Sequence, residues 1–469
     1  MKKFLVLLVA STAVTAFADI DRSKQPEADP APAVSFPDYR TETLPNGLKV
    51  FVIEDDRKPT VTFRLVIRSG SVNDDKKIGT TSFAAGLLNR GTEHRDAATF
   101  ALETDSMGVT VEASGGPDAI SVAAGGLTKY TDRMLDLLSD AVLHPTFPAD
   151  QFARLQRKTL SALDAEKQQP SSLAEKLAGK VVFGSFPYGD YLKPEDVISL
   201  KREDLVKYHD SYFLPNNASL AIVGDVKADK ILALVQKAFG DWQKGQVPET
   251  TKSEIPKIQG LTIHLVDRPG SVQSNIIVLS DAPPRNNPDL PELNVVNSTL
   301  GGGFSGRLFQ NLREKHGWTY GSMSAFDYKK LGGDFEATAE TRNEVTGPAT
   351  AEILKEITRM RDEPAKEEEI ALQRQYNVGN YLLSLENTSR TAQRVQDIDL
   401  YGLPADFYKT YAHRMSVVTP AQVEELAKKY LTTENVAIVV VGEAKEIQPE
   451  LEKIGKVIVY NQELEPVKK

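Results

Sequence analysis

Asn217-Ala218-Ser219-Leu220-Ala221-Ile222-Val223-Gly224-Asp225 is echoed by Asn435-Val436-Ala437-Ile438-Val439-Val440-Val441-Gly442-Glu443, with the two glycines 218 positions apart. Each is an asparagine, an apolar strand-forming run and a glycine followed by an acid. A second pair stands upstream in the same order. Asn46-Gly47-Leu48-Lys49-Val50-Phe51-Val52-Ile53, followed by Asp56-Arg57-Lys58-Pro59, recurs as Gly260-Leu261-Thr262-Ile263-His264-Leu265-Val266, followed by Asp267-Arg268-Pro269. Between these strands each copy carries long amphipathic stretches at helical spacing, for example Ala149 to Glu166 and Glu367 to Leu385, and Gln156-Arg157 is matched by Gln373-Arg374. Ordered matches at a nearly constant offset are the mark of an internal duplication.

Each half is therefore expected to be one α+β domain. Strands interleaved with paired helices, without strict strand-helix alternation, predict a mixed, mostly antiparallel sheet with helices packed on one face. Two such domains would form a half-shell. The domains are read as 39–243 and 260–469, joined by a hinge-like linker over 244–259 that holds Pro248 and Pro256 and little apolar periodicity.

The N-terminus reads differently. Lys2 and Lys3 precede an apolar run from Phe4 to Val9 and small residues ending in Ala16-Phe17-Ala18, the pattern of a cleavable signal peptide over 1–18. The run is too short for a spanning helix, so no membrane insertion is expected after cleavage and the mature chain is placed in a periplasm. Residues 19–38, rich in Pro, Ala, Asp and Ser, read as a disordered linker.

Composition narrows the function. The 469 residues are 41% hydrophobic and 26% charged, which suits a folded protein, and the net charge of -9 argues against a nucleic-acid partner. With no cysteine there is neither a disulfide framework nor thiolate chemistry. Six histidines, His94, His144, His209, His264, His316 and His413, show no pairing at metal-ligand spacing.

Two segments could carry chemistry. Gly79-Thr80-Thr81-Ser82-Phe83-Ala84-Ala85-Gly86-Leu87-Leu88-Asn89-Arg90-Gly91-Thr92 resembles the zinc helix of the pitrilysin-like (insulinase-type) metallopeptidases, which reads G-x-x-H-F-x-E-H and ends in G-T. In that motif two histidines one turn apart bind zinc and the glutamate between them is the general base. Here those positions hold Ser82, Ala85 and Gly86, and the family's third ligand, a glutamate on a later helix, aligns near Ser161 and Ala162. Asp164 and Glu166 are close by, but a carboxylate without imidazoles holds zinc poorly. Glu93-His94 would need a histidine at position 90 to form the inverted motif, and that position is Arg90.

The second segment runs from Gly301-Gly302-Gly303-Phe304-Ser305-Gly306 through Arg307-Leu308-Phe309-Gln310-Asn311-Leu312-Arg313-Glu314-Lys315-His316-Gly317-Trp318-Thr319-Tyr320. It is similar to the family's C-terminal signature, R-L-F-x-x-L-R-E-x-x-G-x-x-Y. The glycines lack the G-K-[ST] ending of a phosphate loop and read as a tight turn before a helix at Arg307. The resemblance extends to Phe186-Pro187-Tyr188-Gly189 and covers the mature chain. It implies that Arg313 and Tyr320 bind peptide and support the transition state, with no cofactor in this chain and zinc in a homologous partner subunit. A non-catalytic scaffold or a peptide-binding module of the same fold are the competing expectations.

Overall fold

The computed structural model describes residues 35–250 and 254–467. The expected signal peptide, and the linker up to residue 34, lie outside the described residues.

Twelve described strands form two six-stranded sheets. The first comprises β1 (Arg40–Thr43), β2 (Lys49–Glu54), β3 (Thr60–Ile67), β4 (Thr110–Gly115), β5 (Ile120–Leu127) and β6 (Ala218–Gly224), in the order β1-β2-β6-β3-β5-β4. The second comprises β7 (Leu261–Asp267), β8 (Gln273–Ala282), β9 (Ser322–Tyr328), β10 (Gly333–Arg342), β11 (Val436–Gly442) and β12 (Lys456–Tyr460), in the order β12-β7-β11-β8-β10-β9. Five strands of each sheet correspond one to one. Both central strands pair in parallel with the opening strand of their half, β6 with β2 and β11 with β7, while the β3 and β8 sides are antiparallel. The halves differ at one edge, where β1 is antiparallel to β2 but β12 is parallel to β7.

Of the helices, seven position the site and the contacts between halves: α1 (Thr80–Leu87), α2 (Ala149–Glu166), α3 (Pro170–Phe183), α4 (Leu290–Leu300), α5 (Glu367–Ser384), α6 (Thr388–Tyr401) and α7 (Phe407–Ser416). The amphipathic stretches read from sequence are α2 and α5.

Every residue of β6 and of β11 is buried. A strand apolar throughout, without alternation, needs cover on both faces. Each half's own helices cover one face. The other face is covered by a helix from the opposite half. Thus α3, which belongs to the first half in sequence, lays Leu173, Ala174, Leu177, Ala178 and Val182 on the second sheet against Ile277, Leu279, Val439 and Val441.

The return contact is polar: α6 leaves the second half to lie on β3 and β6 of the first. Thr388 and Thr62 share a hydroxyl hydrogen bond of 2.7 Å, Lys49 pairs with Asp399 at 2.8 Å, and Arg68 pairs with the same carboxylate. Gln396 does more: its amide donates to the carbonyls of Arg64 (2.9 Å) and Ser219 (3.0 Å), and its Oε1 accepts from Arg64 Nη1 at 2.7 Å.

One boundary needs correction. The expected disordered linker over 19–38 ends earlier than read, because Phe36 is only 2% exposed and packs 5.5 Å from the Tyr408 ring. Burial of one large aromatic outweighs the polar composition around it. In the linker over 244–259 no helix or strand is present among the described residues, and Ile255 and Ile258 rest against the core under α3.

Burial also sets a pH dependence. Glu336 on β10 has its carboxyl pushed up to about 7, first by burial and then by the neighbouring Asp334 carboxylate. A carboxyl whose folded pKa exceeds its unfolded one contributes stability that is complete at low pH and lost as pH rises through the folded value. Stability is therefore expected to fall between about pH 5 and 8, and Glu336→Gln to flatten that decline in thermal melts taken across the range.

Candidate functional site

In the first half, α1 starts at Gly79, whose φ of 98° lies in the left-handed region that glycine tolerates. Buried Asp74 fastens this start. Its carboxylate accepts from the Gly79 and Thr81 backbone N–H groups, each at 2.9 Å, and from the Thr81 hydroxyl at 2.5 Å. Three lost hydrogen bonds at a helix start should make Asp74→Ala cost about 2–3 kcal/mol, read from urea unfolding.

Along α1, Ser82 and Gly86 are exposed and Ala85 is 2% exposed. The Ser82 hydroxyl donates to the Gly79 carbonyl at 2.9 Å. Opposite lies α2, whose Leu155 methyl would sit 3.4 Å from a Cβ added at Gly86, and Ala162 is exposed on the same helix. Between α1, α2 and β4 is a cavity of about 450 Å³ lined by Ala85, Gly86, Arg90, Glu112, Arg154 and Lys158.

Zinc needs several deprotonated nitrogen, sulfur or carboxylate donors converging on one point. Ser82, Ala85, Gly86 and Ala162 supply none, and three of the charged groups around the cavity are cations. Glu166 is engaged by Lys176 at 2.7 Å, and Glu93 faces His144 at 3.5 Å. Among the described residues no cluster of histidines and carboxylates could hold a metal. The described residues do not fit zinc.

The second half is built differently at its own glycine-rich segment. After α4 the chain turns through Gly301 to Gly306 with backbone packed on backbone: a Cβ at Gly301 would lie 2.6 Å from the Ser324 nitrogen, and one at Gly306 would lie 2.9 Å from the Gly301 Cα. Crowding, and no left-handed φ, is what demands glycine here. The turn is pinned to α5, where Arg307 makes a fork of 2.7 and 2.9 Å to Glu369 and Gln373 donates to the Ser305 hydroxyl at 3.0 Å.

The expected helix at Arg307 is one α-turn, Arg307–Phe309, that widens into a π-helical turn over Gln310–Lys315. Its wide register is visible in the His316 N–H donating to the Asn311 carbonyl at 3.1 Å. Such wide turns re-aim side chains and recur at working sites. Gly317, at φ 63°, reverses the chain so that Tyr320 returns over the turn.

Arg313 and Tyr320 therefore meet. Arg313 Nη1 donates to the Tyr320 backbone carbonyl at 3.0 Å, and its guanidinium lies 4.9 Å from the Phe309 ring centroid. Phe309 in turn makes an edge contact with Phe304 at 5.0 Å. Tyr320 is 89% exposed, and Phe304 is exposed as well. One of the five guanidinium N–H groups holds the loop and Nε faces the Glu314 carboxylate at 3.5 Å, leaving the remaining N–H groups as donors. Phe304, Phe309 and the Arg307–Glu369 clasp escaped the sequence reading. The signal was a large aromatic set among glycines, which cannot bury itself locally. Arg313 and Tyr320 belong to the second sheet's half and the vacated zinc positions to the first, with no hydrogen bond or ion pair between the two sets among the described residues.

Known proteins share these features. The profile described as Insulinase (Peptidase family M16) matches residues 49–189, and that described as Peptidase M16 inactive domain matches residues 199–377. An uncharacterized zinc protease of Mycobacterium tuberculosis is 25% identical over 408 residues, 85% of this chain and 91% of that one. A protein of Helicobacter pylori described as the non-peptidase homolog YmxG is 20% identical over 85% of this chain and 93% of its own. Among solved structures, a peptidase M16 inactive domain from Pseudomonas fluorescens superposes with a TM-score of 0.80 at 23% identity, covering 86% of this chain and 98% of that one. The periplasmic protease PqqL of Escherichia coli superposes with a TM-score of 0.72 at 14% identity, covering 89% of this chain and 49% of its own.

Proposed function

Because the chain belongs to the insulinase family of peptidases, M16, and is a homologue of its zinc enzymes without their metal-binding residues, we propose that it is the non-zinc subunit of an exported two-chain metallopeptidase. The observation that carries this reading is the contrast between the two halves. The zinc positions hold Ser82, Ala85 and Gly86, while Arg313 and Tyr320 remain displayed on a pinned, glycine-crowded loop.

In this proposal the partner's zinc supplies the Lewis acid and the activated water. This chain supplies positioning. The free N–H groups of Arg313 donate to a carbonyl of the bound peptide, and the Tyr320 hydroxyl donates to the carbonyl oxygen as negative charge develops there. Holding Arg313 against Phe309 and the Tyr320 carbonyl removes rotamer freedom before substrate arrives, so less is lost on binding. Export follows from the N-terminal eighteen residues, and no described helix is long and apolar enough to cross a membrane.

The test is to mix the purified mature chain with each zinc-motif homologue from the same organism, assay a broad peptide library, and follow association by size-exclusion chromatography. Cleavage that appears only in one mixture, together with co-elution, is the expected result. Neither association nor cleavage in any mixture would remove the subunit reading in favour of a scaffold or a free-standing peptide-binding module.

A further inference from the structure

Behind the helix exchange lies a cavity of about 170 Å³ that the peptidase reading does not use. Its wall carries Arg285, Arg390 and Arg394 against one carboxylate, Asp397, with Tyr408 and Tyr411 between them. Asp397 is buried and is already engaged, accepting from the Tyr408 hydroxyl at 3.2 Å and facing Arg285 Nη2 at 3.4 Å. Arg394 has no carboxylate within ion-pair distance among the described residues. Its guanidinium lies 4.7 Å from the Tyr381 ring centroid, and its Nη1 is buried with no hydrogen-bond partner. Arg390 stands exposed at the mouth, also unpaired, one turn before Arg394 on the same face of α6.

This arrangement is costly as it stands. Like charges at i and i+4 destabilise a helix, and a guanidinium taken out of water without a counter-charge is more expensive still. Burial and the Arg390 charge both pull the Arg394 pKa down from its ordinary value. Arg64, across the exchange on β3, adds a further cation near Asp397 and is itself paired only with the neutral Gln396. The local balance is thus strongly positive inside a chain whose net charge is -9.

We propose that this cavity is a binding site for a small oxyanion, held by Arg285, Arg390 and Arg394. Guanidinium forks match the paired oxygens of phosphate, sulfate or a carboxylate. The bound anion joins the loop after β8 to α6, the helix that crosses onto the first sheet, and so steadies the contact between halves.

The full mature chain would be titrated with inorganic phosphate, sulfate and acetate in separate arms, each against chloride at equal ionic strength, by calorimetry and thermal melting. Saturable one-site binding with a rise in Tm is expected for at least one arm. Binding of acetate alone would assign the site to carboxylates, and binding of phosphate or sulfate to tetrahedral anions. Arg390→Gln, exposed and so safe for folding, and Arg394→Gln should each weaken binding by about tenfold or more, while the surface variant Arg157→Gln leaves it unchanged. No saturable binding in any arm, or affinities that are the same in Arg390→Gln and Arg394→Gln as in wild type, would overturn the proposal.

Discussion

In a mixture with the zinc-bearing subunit proposed above, the Arg313→Ala chain should support peptide cleavage about a hundred- to a thousandfold more slowly than wild type. That is the usual effect of removing one preorganised donor from a developing charge. Tyr320→Phe keeps the ring and deletes only the hydroxyl, so its loss should fall mainly on kcat. Arg313→Ala should also raise KM, since a donor to a peptide carbonyl acts in the ground state as well. Neither change should lower the Tm of the isolated chain much, because Tyr320 is 89% exposed and Arg313 spends a single hydrogen bond on its own loop. Wild-type cleavage in mixtures of both variants, at unchanged association, would leave the pair with no more than a surface role.

Gln396→Ala should be among the most destabilising single changes in the protein, by about 3–5 kcal/mol. Gln396 is 1% exposed and bonds at once to the Arg64 guanidinium, the Arg64 carbonyl and the Ser219 carbonyl. Truncation removes all three bonds at once and leaves the Arg64 guanidinium without its Gln396 partner beneath α6, where the two strand carbonyls keep only their places in the sheet. Against a typical domain stability of about 5–15 kcal/mol, such a loss is severe. Urea unfolding should show a large drop in midpoint. Ala178→Leu, at the corresponding site of the apolar contact made by α3, should fail for the opposite reason, overpacking. A Gln396→Ala midpoint close to wild type would mean that α6 does not hold the halves together through this side chain.

The two exchanged helices show how duplicated halves diverge. On α3 the side chains facing the other half's sheet include Leu173, Leu177, Ala178 and Val182, and the contact is apolar. On α6 the side chains facing the other sheet include Thr388, Gln396 and Asp399, and the contact depends on satisfied hydrogen bonds. Apolar contacts tolerate sliding, whereas a buried polar network is satisfied in one register only.

Much of this was legible in the chain itself. The opening and central strands of both halves and the helices α2 and α5 follow from residue type and spacing, and the erased zinc donors at Ser82, Ala85 and Gly86 from the resemblance to the insulinase-type zinc helix. Strand and helix periodicities are set by neighbours two to four positions away, and a metal needs donor atoms that either stand at a position or do not. The helix exchange, the burial of Phe36, the π-turn that brings Arg313 to the Tyr320 carbonyl, and the gathering of Arg285, Arg390 and Arg394 around one cavity were decided only by the tertiary structure. Each depends on which remote segment covers a given face, and that choice is made by packing and by pairing of buried polar groups across the whole fold, where no local pattern records it.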